Sequence, residues 1–180
     1  MSIRLAGRAA AAGWALAPGF VVTPPAPIDD IPKQQGGTAE AEVARLGEAL
    51  QQAESDLRTL ARTVQVTAGQ AEAEIFEAHA EFTADPELAT LAQEAIADGA
   101  SAELAVTQAF ATFRELLVGS SSDYLAERAT DLDDVRDRVV RILMGRTTGG
   151  DSPPVRSVIV ARELTPSQTA SIPVDVSPAS

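Results

Sequence analysis

Ser121–Gly145 reads SSDYLAERATDLDDVRDRVVRILMG, and the spacing within it decides the fold. Leu125, Ala129, Leu132, Val135, Val139, Ile142 and Leu143 recur at steps of three and four, so one apolar stripe runs along a helix. Ser121, Ser122 and Asp123 offer oxygens to cap its start, and Gly145 can adopt the left-handed conformation that stops it. Acids crowd the first half and arginines the second, which complements the helix dipole. Asp134 with Arg138 and Asp137 with Arg141 add ion pairs four residues apart, acid first.

Working back from this helix, the same signature recurs. Over Thr38–Val66, Val43, Leu46, Leu50, Ala53, Leu57, Leu60 and Val64 alternate steps of three and four, a bundle seam that breaks at Gly69. A second helix over 70–83 places Ala71, Ile75, Ala78 and Phe82 on one face. Asp85-Pro86 fits a turn with proline at the first helical position of a third, Pro86–Ala97, which buries Leu88, Leu91, Ala92, Ala95 and Ile96. Ser101 caps a fourth, with Ala102, Val106, Ala109, Phe110, Phe113 and Leu117 as its stripe, and Gly119–Ser122 makes a hinge. No stripe can be buried alone, so the expected architecture is mainly α, an up-and-down bundle with short loops.

The ends read differently. Phe20-Val21-Val22-Thr23 fits a short strand, and Pro24, Pro25, Pro27 and Pro32 exclude regular structure as far as Lys33. After Gly145, two glycines and two prolines mark 146–154 as a linker. Val155 and Val158–Ala161 read as a buried strand, and Leu164-Thr165-Pro166-Ser167 as a turn opening a short helix.

At 180 residues and 45% hydrophobic content the chain can bury one ordinary core, and its alanine-rich, aromatic-poor composition favours closely packed helices. The net charge of −12 argues against a nucleic-acid partner. Cysteine is absent, which excludes disulfides and thiolate metal sites. No apolar run reaches the roughly 20 residues that span a bilayer. Arg4, Arg8 and Ala15-Leu16-Ala17 imitate a signal peptide, but Arg8 and Gly13 interrupt its apolar run, so a cytoplasmic chain is expected.

Three stretches in order carry a resemblance: DYLAERATDLDDVRDRVVRILMG, EIFEAHAEFTADPEL at Glu74–Leu88, and SVIVARELTPSQTASI at Ser157–Ile172. Together they resemble the N-terminal part of Enzyme I, the phosphoenolpyruvate–protein phosphotransferase of the bacterial sugar phosphotransferase system. The resemblance implies a helical carrier-binding bundle, 33–145, inserted into an incomplete α/β phosphohistidine (swivelling) domain. Segment 1–32 would open that domain, 146–154 would be a linker and 155–180 a truncated continuation. It further implies docking of the phosphocarrier HPr, or a paralogue, through the second helix, the third and the start of the last. Carried over residue by residue, the partner-binding positions are His79, Phe82, Leu88, Tyr124, Leu125 and Arg128. Phe82 and Leu88 are expected to be exposed. Glu81 and Thr83 stand where the family has apolar residues.

The family's phosphoacceptor histidine follows a glycine-rich turn beyond the LTPS stretch, and the sequence stops before it. No catalytic residue and no bound cofactor are therefore expected here. Magnesium and phosphoenolpyruvate, like dimerisation, belong to the C-terminal domain of full-length relatives. His79, the single histidine, reads as a surface or packing residue. Asp133-Asp134-Val135-Arg136-Asp137 spells a DDxxD pattern able to hold magnesium-pyrophosphate, but the neighbouring arginines favour an ion-paired, solvated face. Glu72, Glu74, Glu77 and Glu81 give the second helix an acidic side, read either as an ordinary polar face or as the rim of a docking surface. Two further readings stand beside the enzyme fragment: a non-catalytic carrier-binding module and a vestigial structural bundle.

Overall fold

The computed structural model describes residues 16–22, 28, 30–118, 132–146, 153–161, 164, 166–170 and 172, the side chains of 116–118, 166 and 167 excepted. Strand β1 (Gly19–Val21) is followed by helices α1 (Ala39–Thr67), α2 (Gln70–Thr83), α3 (Pro86–Ala97), α4 (Ala102–Val118) and α5 (Leu132–Leu143). Strand β2 (Val158–Val160) and a five-residue helix α6 (Pro166–Ala170) complete the described elements. The mainly helical expectation holds, and the limits of α1 to α4 and the end of α5 lie within a residue or so of those read from the caps and breakers, while the start read at Ser121–Asp123 lies outside the described residues.

Local chemistry explains the limits. Thr38 Oγ1 accepts the Ala41 amide at 3.3 Å at the start of α1. Asp85 caps α3 by accepting the Glu87 amide at 2.8 Å, with Pro86 in the position that has no amide to lose. Gly99, at φ 98°, ends α3 in a conformation that side chains rarely adopt, and Gly145, at φ 63°, does the same for α5.

Helix α2 returns along α1, α4 returns along α3, and α5 packs against both α1 and α4. The shared core contains Leu46, Leu50, Leu57 and Val64 of α1, Phe76 of α2, Leu88 and Ile96 of α3, Val106 and Phe110 of α4, and Val135 and Val139 of α5. Alanines fill the closest approaches, among them Ala53, Ala73, Ala80 and Ala92, all fully buried.

The two strands pair in parallel, Phe20 opposite Ile159, so the helices lie in the connection between neighbouring strands. Phe20 and Ile159 are half-buried, while Val21, Val158 and Val160 are exposed. β1 begins one residue earlier than expected and stops before Val22, although the Val22 amide still donates to the Val160 carbonyl at 2.9 Å; Thr23 lies outside the described residues. β2 covers only Val158–Val160, and Val155 is exposed rather than buried.

A polar cluster lies where α1, α4 and α5 meet. Glu42, 2% exposed, accepts the Ala102 amide at 2.9 Å, the Gly36 amide at 3.3 Å and the Arg45 guanidinium at 2.7 Å. Arg45 also donates to buried Glu103 and, at 3.2 Å, to the carbonyl of Leu143. The Glu103 carboxylate, as hydrogen-bond partner, holds the Arg45 pKa above the ordinary arginine value. Ser101 caps α4 through the Leu104 amide at 3.2 Å and donates its hydroxyl to the carbonyl of Pro32. The α1 stripe therefore includes an acid. Glu42 stands one turn ahead of Leu46 on the core face, while Val43 and Leu60 are half-buried.

Candidate functional site

Helix α2 has apolar residues on two sides, and the bundle takes one of them. Ala73, Phe76, His79, Ala80 and Thr83 are buried. The set read from spacing, Ala71, Ile75, Ala78 and Phe82, lies toward the other side, with Ala71 exposed and the remaining three half-buried. This corrects the expected core face of α2. The bulk of Phe76 and the small Ala73 and Ala80 let α2 lie close along α1, which a pattern of spacings alone does not reveal.

Two of the proposed contact residues are inside the fold. His79 is 0% exposed, its ring edge-on to Phe76 with centroids 5.9 Å apart. Leu88 is also 0% exposed, because the third residue of α3 shares a face with Ala92 and Ile96. The exposure that the docking reading expected of Leu88 is thus overturned in favour of the burial read from the α3 stripe, and the packing reading of His79 fits its position. Phe82 is half-buried, its ring edge-on to Phe113 of α4 at 6.0 Å and 76°. Tyr124, Leu125 and Arg128 lie outside the described residues, as do the Gly119–Ser122 hinge and the first half of the helix read over 121–145.

What remains at the surface is a shallow apolar strip, Ile75, Ala78 and Phe82, beside exposed Glu72, Glu74, Glu77 and Glu81. Exposed Glu87 and Glu94 extend the acidic character along α3. Residues 70–97 contain neither lysine nor arginine, so no cation of these two helices offsets the charge. Such a surface can seat an apolar contact ringed by basic groups.

The acids of α5 are differently engaged. Arg136 donates to Asp133 at 2.8 Å and to Asp137 at 2.7 Å, which makes this stretch an ion-paired face. Among the described residues no group of three or more His, Cys, Asp or Glu is arranged to hold a metal ion. No described helix is long and apolar enough to cross a membrane.

The sequence reading missed Glu42, Arg45 and Glu103 as a connected set beside the Ser101 cap. One signal was available: Glu42 falls four residues before Leu46, on the stripe itself, where a charge needs a partner.

Comparison with known proteins bears on the family and the fold. A phosphoenolpyruvate-protein phosphotransferase of Priestia megaterium is 34% identical over 174 residues, covering 96% of this chain and 30% of the relative. One of Streptomyces coelicolor is 40% identical over 157 residues, covering 83% of this chain and 25% of the relative. The chain thus spans less than a third of the length of these relatives. A solution structure of an Enzyme I protein superposes with a TM-score of 0.73 at 28% identity, over 88% of this chain and 64% of the other. The family described as PEP-utilising enzyme, N-terminal, matches residues 6–128, well over half of the sequence, and the chain belongs to that family.

Proposed function

We propose that this chain is the N-terminal, carrier-docking portion of a phosphoenolpyruvate–protein phosphotransferase, and that it binds a phosphocarrier of the HPr type. The observation that carries this reading is the half-exposed strip Ile75, Ala78 and Phe82, set among glutamates on helices without a cation. A carrier that fits has an apolar centre and a basic rim. The rim steers the encounter and the centre supplies most of the affinity. Phe82 is a contact residue, whereas His79 and Leu88 act from beneath, as packing that fixes the position of α2 and α3. Tyr124, Leu125 and Arg128 extend the contact from the stretch preceding α5.

The unit that docks is 33–145. Segments 1–32 and 155–180 are contributions to one α/β domain, a division supported by the parallel pairing of β1 with β2. The chain passes no phosphate by itself: its single histidine is enclosed by α2's own bundle face, and Asp133 and Asp137 are tied to Arg136. Phosphoenolpyruvate and magnesium are bound by the full-length protein in the cytoplasm.

The test is calorimetric titration of the folded chain with a purified HPr-type carrier. Saturable binding that weakens with added salt is the expected outcome. A well-folded chain that shows no heat at high micromolar carrier would leave the structural-bundle reading in its place. A phosphocarrier-binding chain that also accepts label from phosphoenolpyruvate and magnesium on His79 would contradict the non-catalytic part.

A further inference from the structure

The chain crosses twice between its strand pair and its helices, inward ahead of α1 and outward after α5. Both crossings meet the same polar cluster. On the inward side, the Pro32 carbonyl accepts the Ser101 hydroxyl, the Gln35 side-chain amide donates to the carbonyl of Ile96, and the Gly36 amide donates to Glu42. On the outward side, the Leu143 carbonyl accepts from Arg45. That carbonyl lies in the last turn of α5, where a helix leaves its acceptors without internal donors.

One guanidinium reaches two of these partners, the Glu42 carboxylate and the Leu143 carbonyl. Arg45 binds Glu42 within α1, Glu103 of α4 and Leu143 of α5. Glu42 and Glu103 are buried, yet the Arg45 side chain is 42% exposed, so the cluster's single cation is also its most accessible member. Glu42 retains two amide donors if Arg45 leaves. Glu103 has none, because its Oε2 is buried without a hydrogen-bond partner and its Oε1 is bonded to Arg45. Removing the guanidinium therefore sets a buried carboxylate against a neighbouring one and releases the end of α5.

We infer that Arg45 is the pin of a clamp, built from Glu42, Glu103 and the Leu143 carbonyl, that fixes the outward crossing directly and the inward one through the position of the Glu42 carboxylate, and so holds the strand pair to the helices. The large apolar contacts of α1 with α2 lie further along α1, from Leu50 to Val64, and do not depend on the cluster. The clamp therefore opens without unfolding the bundle. This goes beyond docking, since it concerns how the β-strands are carried by the helices and involves no residue of the α2–α3 surface.

Amide hydrogen exchange on Arg45→Met is the test. Exchange at Met144–Arg146 should rise tenfold or more, and that of Gly36 by less because Glu42 stays as its acceptor, while amides of Leu57–Val64 keep their protection. The absence of native cysteine allows spin labels at Ser55→Cys, on the exposed side of α1, and Val158→Cys, on β2. Their distance distribution should broaden in Arg45→Met and stay narrow in the parent. Arg45→Lys keeps the charge but loses the fork that reaches three acceptors, and should give an intermediate response. It also serves both readouts if Arg45→Met fails to fold. The inference is overturned if neither crossing changes, if the distance distribution stays narrow, or if exchange rises equally throughout α1.

Discussion

The Oε2 of Glu42 accepts the backbone amide of Ala102 at 2.9 Å, so a side chain of the first helix caps the fourth, 60 residues away. An N-terminal amide of α4 that has no intrahelical acceptor is satisfied by a buried carboxylate, and the negative charge suits that end of the helix dipole. The bond is tertiary in origin but does the work of a local cap.

Glu42→Ala should therefore destabilise more than loss of a surface pair does. It removes a cap and leaves Arg45 with Glu103 and the Leu143 carbonyl. Breaking a fully buried pair costs about 3–5 kcal/mol, and the partial exposure of Arg45 reduces this to about 2 kcal/mol. Urea unfolding should show a lower midpoint with an unchanged slope. A loss within about 0.5 kcal/mol would place Glu42 with the surface acids.

The α1 seam gives a graded second prediction. Leu57 is fully buried, whereas Leu60, one turn on, is half-buried. Leu57→Ala should cost about 2–5 kcal/mol through lost burial and the cavity left behind, and Leu60→Ala about 1 kcal/mol. Equal losses in thermal or urea unfolding would contradict the orientation of α1.

Glu40 gives a pH prediction of known sign. Hydrogen bonding from its own backbone amide, and then from the Thr38 side chain, holds its carboxyl below the ordinary glutamate range. A depressed folded-state pKa contributes stability above the unfolded value, and that stability is lost as pH falls through the folded pKa. The window is thus acidic, at and below the ordinary glutamate range. A side-chain carboxyl titration followed by NMR should show a low midpoint that moves upward in Thr38→Ala.

Helix existence was legible because Thr38, Asp85-Pro86, Ser101 and the glycines at 99 and 145 act locally, within a turn of the residues they control. The facing of α2 was not. It carries Ile75 and Phe76 side by side, and which one enters the core depends on the surface offered by α1, a tertiary fact. The Glu42 cluster was invisible for the same reason: its partners are distant in sequence, and acids near helix starts are common on surfaces. Of the candidate site, the acidic side of α2 could be read directly. The depth of Leu88 followed from the α3 stripe, whereas that of His79 could not be read, since it follows from the rotation of α2 in the bundle.

That rotation separates docking from packing, and two substitutions should divide accordingly. Ile75 is half-buried on the strip beside Glu74 and Glu77, so Ile75→Glu extends the acids across the apolar centre while leaving the buried face of α2 untouched. Carrier affinity should fall tenfold or more, about 1.4 kcal/mol, with the helical spectrum unchanged. Leu88 is enclosed with Ala92 and Ile96, so Leu88→Ala should instead lower unfolding stability by about 2–5 kcal/mol. Below its melting range, the folded Leu88→Ala protein should bind the carrier within about threefold of the parent, roughly 0.7 kcal/mol. Phe82→Ala belongs between them, losing both affinity and its ring contact with Phe113. If Leu88→Ala abolished binding at full stability while Ile75→Glu left it intact, the contact surface would lie on another side of α2 and α3. Calorimetric titration beside urea unfolding of the same three variants distinguishes these outcomes.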